Sequence, residues 1–145
     1  MRLTRYVGVV LLFPVAPCFA QHTPVACLSY EPAIVQITGT LVRTTYPGPP
    51  NYENIRKGDR VETYWLINLN SPACVNENKA EPDLDPELKS VTSIQLVLNA
   101  NAYHRFKSLM GKRVAVSGTL SGGNTGHNHT RVLLTIRDMK KANRT

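Results

Sequence analysis

The chain has 145 residues, 42% of them hydrophobic, with 17 Lys and Arg against 10 Asp and Glu, a formal net charge of +7 and three cysteines. These totals leave room for one compact domain with a modest core. They exclude a multidomain enzyme, a collagen-like or low-complexity chain and a disordered acidic tail.

The first 20 residues stand apart. Arg2 and Arg5 form a basic start, Val7 to Phe13 an apolar stretch and Cys18-Phe19-Ala20 a small-x-small cleavage site. Residues 1–20 therefore read as a secretory signal peptide cleaved near Ala20, and residues 21–145 as a single periplasmic or secreted domain. The apolar stretch is too short to span a bilayer, and no membrane insertion of the mature chain is expected. Pro17 directly before Cys18 disfavours the competing lipoprotein reading. Without the leader the net charge falls to +5 and only Cys27 and Cys74 remain, a pair that predicts a disulfide bond in an exported chain.

Ile34 to Arg43 is the first expected strand, with Val35, Ile37 and Leu41 on one face and Gly39 where the strand could bend. The connection Thr44 to Glu62 is long and rich in Pro and Gly. Connections of more than about a dozen residues are usually functional or disordered, although a stiff polyproline-like arm is the alternative. Thr63 to Leu69 and Ser93 to Leu98 are the next strands, separated by Ala80 to Glu87, which holds two prolines and four acids and reads as a solvated loop. The period then changes: Tyr103, Phe106, Leu109 and Met110 recur at helical spacing, Asn101 can cap the start and Gly111 stands at the stop. Arg113 to Leu120 and Arg131 to Arg137 complete the strands, joined by Ser121 to Thr130 with three glycines, His127 and His129.

Three strands, a helix and two strands predict an all-β fold with one short helix, a five-stranded OB-fold-like barrel; an open antiparallel β-sandwich is the alternative. Val35 to Leu41 and Val114 to Leu120 share the pattern Val-x-apolar-hydroxyl-Gly-Thr-Leu. In an OB barrel the first and fourth strands are neighbours, so matching glycines fit matching bends.

In that topology the two distinctive loops flank one face. The expected ligand-binding residues are Tyr46, Tyr52, Arg56, Lys57 and Arg60 from the first loop and His127, His129 and Arg131 from the second, with Arg43 adding to a basic patch. At i and i+2 on a strand-like turn, His127 and His129 could offer two imidazoles to zinc or another transition metal. A zinc site takes three or four protein ligands, and no third is evident because His22 and His104 lie elsewhere. No cofactor is therefore expected, and these histidines remain the only metal candidates. No phosphate-cradling loop, HExxH, GxSxG elbow or free nucleophilic cysteine is present, and six of the ten acids lie in Glu77 to Glu87 or at Asp138, away from the expected face. No catalytic residue is assigned, which weighs against an enzyme.

The segments Cys27-Leu28-Ser29-Tyr30-Glu31-Pro32, Gly39-Thr40-Leu41 with Tyr46-Pro47-Gly48-Pro49-Pro50-Asn51-Tyr52-Glu53, Glu62-Thr63-Tyr64-Trp65-Leu66 and Gly111 to Leu120, followed by Thr125-Gly126-His127 and His129-Thr130, resemble an uncharacterised family of small exported bacterial proteins. That family is a domain of unknown function numbered 4431. The resemblance implies a bacterial, exported protein and brings no activity or catalytic residues. At the level of fold alone the chain is also similar to periplasmic OB-fold proteins, an analogy that does not decide function.

The expected function is an exported, non-enzymatic binding protein for an anionic or glycan-like ligand or an exported protein. An inhibitor or immunity protein against an exported toxin or cell-wall hydrolase is the alternative, and a His-based metal-binding protein or hydrolase is the third reading. Nucleic acid is disfavoured by the compartment and by the lack of a strand aromatic series beyond Tyr64 and Trp65.

Overall fold

The structure is a computed structural model that describes residues 26–143. The expected leader, with Cys18, and His22 lie outside the described residues. Five strands, β1 Ile34–Pro47, β2 Val61–Val75, β3 Leu88–Val97, β4 Arg113–Gly122 and β5 Val132–Lys141, surround the core, with one helix, α1 Ala100–Phe106, between β3 and β4. The hydrogen-bonded order β1-β2-β3-β5-β4 closes into a barrel because β4 returns to β1. All neighbours are antiparallel except β3 and β5, which meet in parallel over Gln95 to Val97. This is the expected all-β fold with one short helix, and it is consistent with the OB-fold-like arrangement read from the element order.

Alternation along each strand puts one set of side chains inside. Val35, Ile37 and Leu41 of β1, Trp65 and Ile67 of β2, Ile94 and Leu96 of β3, Val114, Val116 and Leu120 of β4, and Val132 and Leu134 of β5 form the buried core. The α1 helix adds Phe106 to this core and sets Tyr103 edge-on against Trp65, with ring centroids 4.9 Å apart. Its start differs from the expectation: Asn99, not Asn101, is the cap, and its side chain accepts the Ala102 N–H at 2.9 Å. Asn99 has the extended backbone a cap requires, whereas Asn101 already lies in the first turn. The helix gives way to a 3-10 turn at Lys107–Leu109, and Gly111, at φ 74°, ends it as the sequence suggests.

Cys27 and Cys74 form the expected disulfide, and the adjoining Leu28 bridges in parallel to Val75. The Ala80 to Glu87 loop is exposed as expected except for half-buried Pro86 and for Asp85, which is buried and accepts the Gly122 N–H at 2.7 Å and the Asn78 amide at 3.1 Å. One acid of that run is therefore a brace for the end of β4. No helix among the described residues is long and apolar enough to cross a membrane.

The two glycines of the repeated pattern have a steric reason. A Cβ on Gly39 would stand 2.3 Å from the Asn68 carbonyl oxygen of β2, and one on Gly118 would stand 2.2 Å from the Thr135 carbonyl oxygen of β5. Both obstacles are strand backbone that cannot swing aside, so each neighbouring strand can press close only where the side chain is a hydrogen. Gly39→Ala or Gly118→Ala should each cost about 2 kcal/mol or more of stability, as overpacking does. Urea denaturation checks this, and an unchanged midpoint would mean that the strands separate there at little cost.

Candidate functional site

β1 and β2 extend further than the apolar periodicity suggests. They shorten the first connection to residues 48–60 and make Tyr46 and Glu62 directly paired strand residues, followed by the pairs Thr44 with Tyr64 and Val42 with Leu66. Tyr46, Glu62, Tyr64 and Leu66 have the opposite parity to Leu41, Trp65 and Ile67 and so face outward. On the same outer face Gln95 of β3 pairs with Leu66 on one side and Leu133 on the other. These three residues are buried although they point away from the core, because the loop before β5 folds back over them.

Gln95 fastens that loop. Only 4% exposed, it donates its Nε2 to the His127 carbonyl at 3.0 Å and accepts the His129 N–H on its Oε1 at 2.8 Å. Its backbone N–H goes to the Thr130 hydroxyl at 2.9 Å, which donates to the Val132 carbonyl. A side-chain amide offers the same donor and acceptor as a peptide group. One glutamine thus replaces the ladder partner that the loop lacks.

Asp59 performs the equivalent task in the first loop. Its carboxylate accepts the N–H groups of Asn54 (2.7 Å), Glu53 (2.8 Å) and Asn51 (3.0 Å) and the Asn51 side-chain amide (3.2 Å). The Asn54 N–H chiefly, with the others, holds Asp59 below the usual carboxyl range although burial opposes this. Backbone bonds from Gly48 to Arg60 and from Arg60 to Pro49 close the base, and the Asn54 side chain caps the turn Ile55–Lys57. The segment is therefore a folded loop rather than a polyproline-like arm. Within it Tyr52 adopts φ 60°, a left-handed conformation uncommon for a tyrosine. Its ring covers Gly126, where a Cβ would meet ring carbons at 3.3 Å, and its Oη lies 3.2 Å from His127 Nε2.

The loops thus meet over the outer face. His127 Nδ1 is 3.1 Å from Glu62 Oε2, which also accepts the Tyr64 hydroxyl at 2.9 Å. His129 stacks on Tyr46 with centroids 3.9 Å apart and planes within 2°, and Tyr64 leans on the same imidazole at 5.1 Å. Burial pushes the Glu62 carboxyl up, but the Tyr64 and His127 hydrogen bonds and the nearby imidazoles bring it below the ordinary value overall. Burial, then the hydrogen bond and charge of Glu62, push Tyr64 up to about 12. Burial also lowers His129, with His127 adding to the effect and Glu62 opposing it. An ionised Glu62 can only accept, so His127 carries its proton on Nδ1 in the neutral form and turns the Nε2 lone pair toward Tyr52.

Of the residues singled out in the sequence, Tyr46, Tyr52, His127 and His129 come together. Arg56 and Lys57 occupy the exposed turn of the first loop and Arg60 its exposed base, without ion pairs among the described residues. Arg131 belongs to another neighbourhood: it lines a groove with His129, Thr130 and residues 88–93, and its charge is felt by Tyr30. Arg43 shares the parity of Leu41 and lies on the opposite side of β1 from Tyr46. As for metal, both His127 nitrogens are engaged, His129 Nε2 is buried without a partner, and no group of three potential ligands forms among the described residues. Glu62, Tyr64, Gln95 and Asp59 were not singled out. The signals were the outward i, i+2 series Glu62, Tyr64, Leu66 and a lone glutamine inside the apolar run Ile94 to Leu98.

Gln95→Leu keeps the volume and leaves a carbonyl and an N–H of the loop unpaired. It should cost about 1–3 kcal/mol and remove amide-exchange protection at His129, and retained protection would contradict the clamp. The pH dependence follows from the lowered groups. As pH falls below about 6.5 the unfolded chain takes up a proton on His129 before the folded one does. Its contribution is full above that pH and is lost as pH falls toward the lower folded value. Asp59 and Glu62 contribute fully above the ordinary carboxyl range, about 4, and lose their contributions as pH falls through their depressed folded values. Urea midpoints measured from pH 8 to 3 should fall in two stages, the upper one abolished by His129→Phe, which keeps the stack on Tyr46.

No curated protein and no solved structure matches the chain. Residues 93–140, from within β3 nearly to the end of β5, match the family model described as Domain of unknown function (DUF4431). This stretch holds the histidine loop and Gln95, and the match supports the resemblance to that family stated from the sequence.

Proposed function

We propose that the protein is an exported binding module that holds an anionic glycan across the rim formed by the loop of residues 48–60 and the His127 turn. The observation that carries this reading is the fastening of two sequence-distant loops onto one outer face by two buried side chains dedicated to that task, Asp59 and Gln95. Loops are otherwise mobile and variable, and such bracing is the usual preparation for recognition. Tyr46 and His129 are consumed in stacking on each other. His127 keeps 55% of its side chain exposed, and Arg56, Lys57 and Arg60 keep their hydrogen-bonding and charge capacity. Tyr52 and His127 touch, so the space between them is filled and the surface suits a polymer lying over it. The Cys27–Cys74 disulfide supports an oxidising compartment.

A second reading, an inhibitor or immunity protein for an exported toxin or cell-wall hydrolase, is favoured by one feature. Among the described residues, residues 88–93 of β3 pair only with β2, and the other edge faces a groove of about 270 Å³. An unpaired edge can accept an extended segment of a partner.

Immobilised polygalacturonate tests the first reading. The protein should be retained and eluted by salt. Replacing Arg56, Lys57 and Arg60 together by Ala should weaken binding about tenfold with an unchanged melting temperature. Equal retention of the triple variant, or equal retention on neutral dextran, would remove the anionic glycan from the reading.

A further inference from the structure

Glu62, His127 and Tyr52 form a carboxylate–imidazole–hydroxyl series, with Oε2 3.1 Å from Nδ1 and Nε2 3.2 Å from the phenolic oxygen. The Tyr64 hydroxyl, 2.9 Å from the same Oε2, steadies the carboxylate that orients the imidazole. Fastening the loops does not require this series, because Gln95 and the Tyr46–His129 stack already hold the second loop down. Nor is Tyr52 placed cheaply: its positive φ persists only because Asp59 holds the backbone on both sides of it. Strain retained in this way collects at functional sites. The hydroxyl is within reach of a reagent, since Tyr52 is half-buried and His127 mostly exposed. A base bonded to a hydroxyl and itself oriented by a third group is the general arrangement of an activated nucleophile.

We propose that Tyr52 is a nucleophile that accepts an acyl group from an activated ester, with His127 as its general base and Glu62 as the positioning residue. The phenolic oxygen attacks the ester carbonyl carbon while its proton passes to His127 Nε2. The tetrahedral intermediate collapses, the bond from carbonyl carbon to leaving oxygen breaks, and the departing alkoxide or phenoxide takes the proton from Nε2. The products are O-acyl-Tyr52 and the free alcohol, with no redox partner or metal required. Arg56, Lys57 and Arg60 on the same loop favour esters that carry negative charge.

This inference goes beyond glycan binding and is read separately from it, by a covalent adduct rather than by retention. The folded chain is treated with p-nitrophenyl acetate, nitrophenolate release is followed, and the acetylated peptides are identified by mass spectrometry. The expected result is a burst of about one equivalent per chain with the acetyl group on Tyr52. Tyr52→Phe, which keeps the ring over Gly126, should abolish the burst. His127→Gln should slow it about 100-fold. Glu62→Gln should slow it about tenfold, with Glu62→Asp restoring part of the rate, a recovery that loss of packing would not give. Acetylation of Tyr52 no faster than Tyr103 in the unmodified chain, or an unchanged burst in His127→Gln, would overturn the proposal. The comparison with Tyr103 decides the matter even if a variant fails to fold.

Discussion

A neutral amide buried on the outside of a barrel is the constraint on which the described site rests. The outer face of β3 would ordinarily be solvated or apolar, and Gln95 sits there between Leu66 and Leu133. With an aliphatic residue in its place, the His127 carbonyl and the His129 N–H would lie against leucines without partners, at a cost of about 1–3 kcal/mol in all. The loop would then leave the sheet for water. Because one amide supplies both a donor and an acceptor, it holds alternate loop residues at once. The positions of both imidazoles follow from that.

The first loop reaches the same place by a different device. Asp59 gathers the backbone N–H groups of Asn51, Glu53 and Asn54 through one carboxylate, and the cost of burying it is offset by four hydrogen bonds. The two devices divide the side chains by task. Tyr46 and His129 pack on each other, Gln95 and Asp59 spend their side-chain polar atoms on the loops, and His129 Nε2 is buried without a partner. Glu62 is the acid that the Tyr–His cluster shares, and it sets which nitrogen of His127 keeps a proton. Chemistry is thereby left to His127 and the Tyr52 hydroxyl, and long-range attraction to the exposed cations of the first loop.

The parts of the fold that were legible in the sequence are those with a local signature. Inward positions repeat every second residue, the glycine pattern marks the two close approaches of β1 and β4, and the parity of the cysteines predicts their bond. The helix start was displaced by two residues because Asn99 and Asn101 are equally good caps by composition; only the backbone conformation separates them. The ends of β1 and β2 were missed because their outward residues there are Tyr46, Glu62 and Tyr64, which interrupt the apolar run without interrupting the ladder. The same interruption hid Glu62.

The amino-acid sequence by itself determined a five-stranded all-β domain with one short helix, a disulfide between Cys27 and Cys74, and two unusual loops rich in Tyr, Arg, His and Gly. Each of these follows from periodicity, composition or parity, which are properties of neighbouring residues. Only the tertiary structure decided that Tyr46 lies against His129, that Glu62 and Tyr52 bracket His127, that Arg131 turns to the groove along residues 88–93 and that Arg43 lies on the other side of β1 from Tyr46. Those pairings depend on strand register and on where two buried polar side chains anchor the loops, across separations of up to 83 residues between Tyr46 and His129, and no local pattern encodes a register.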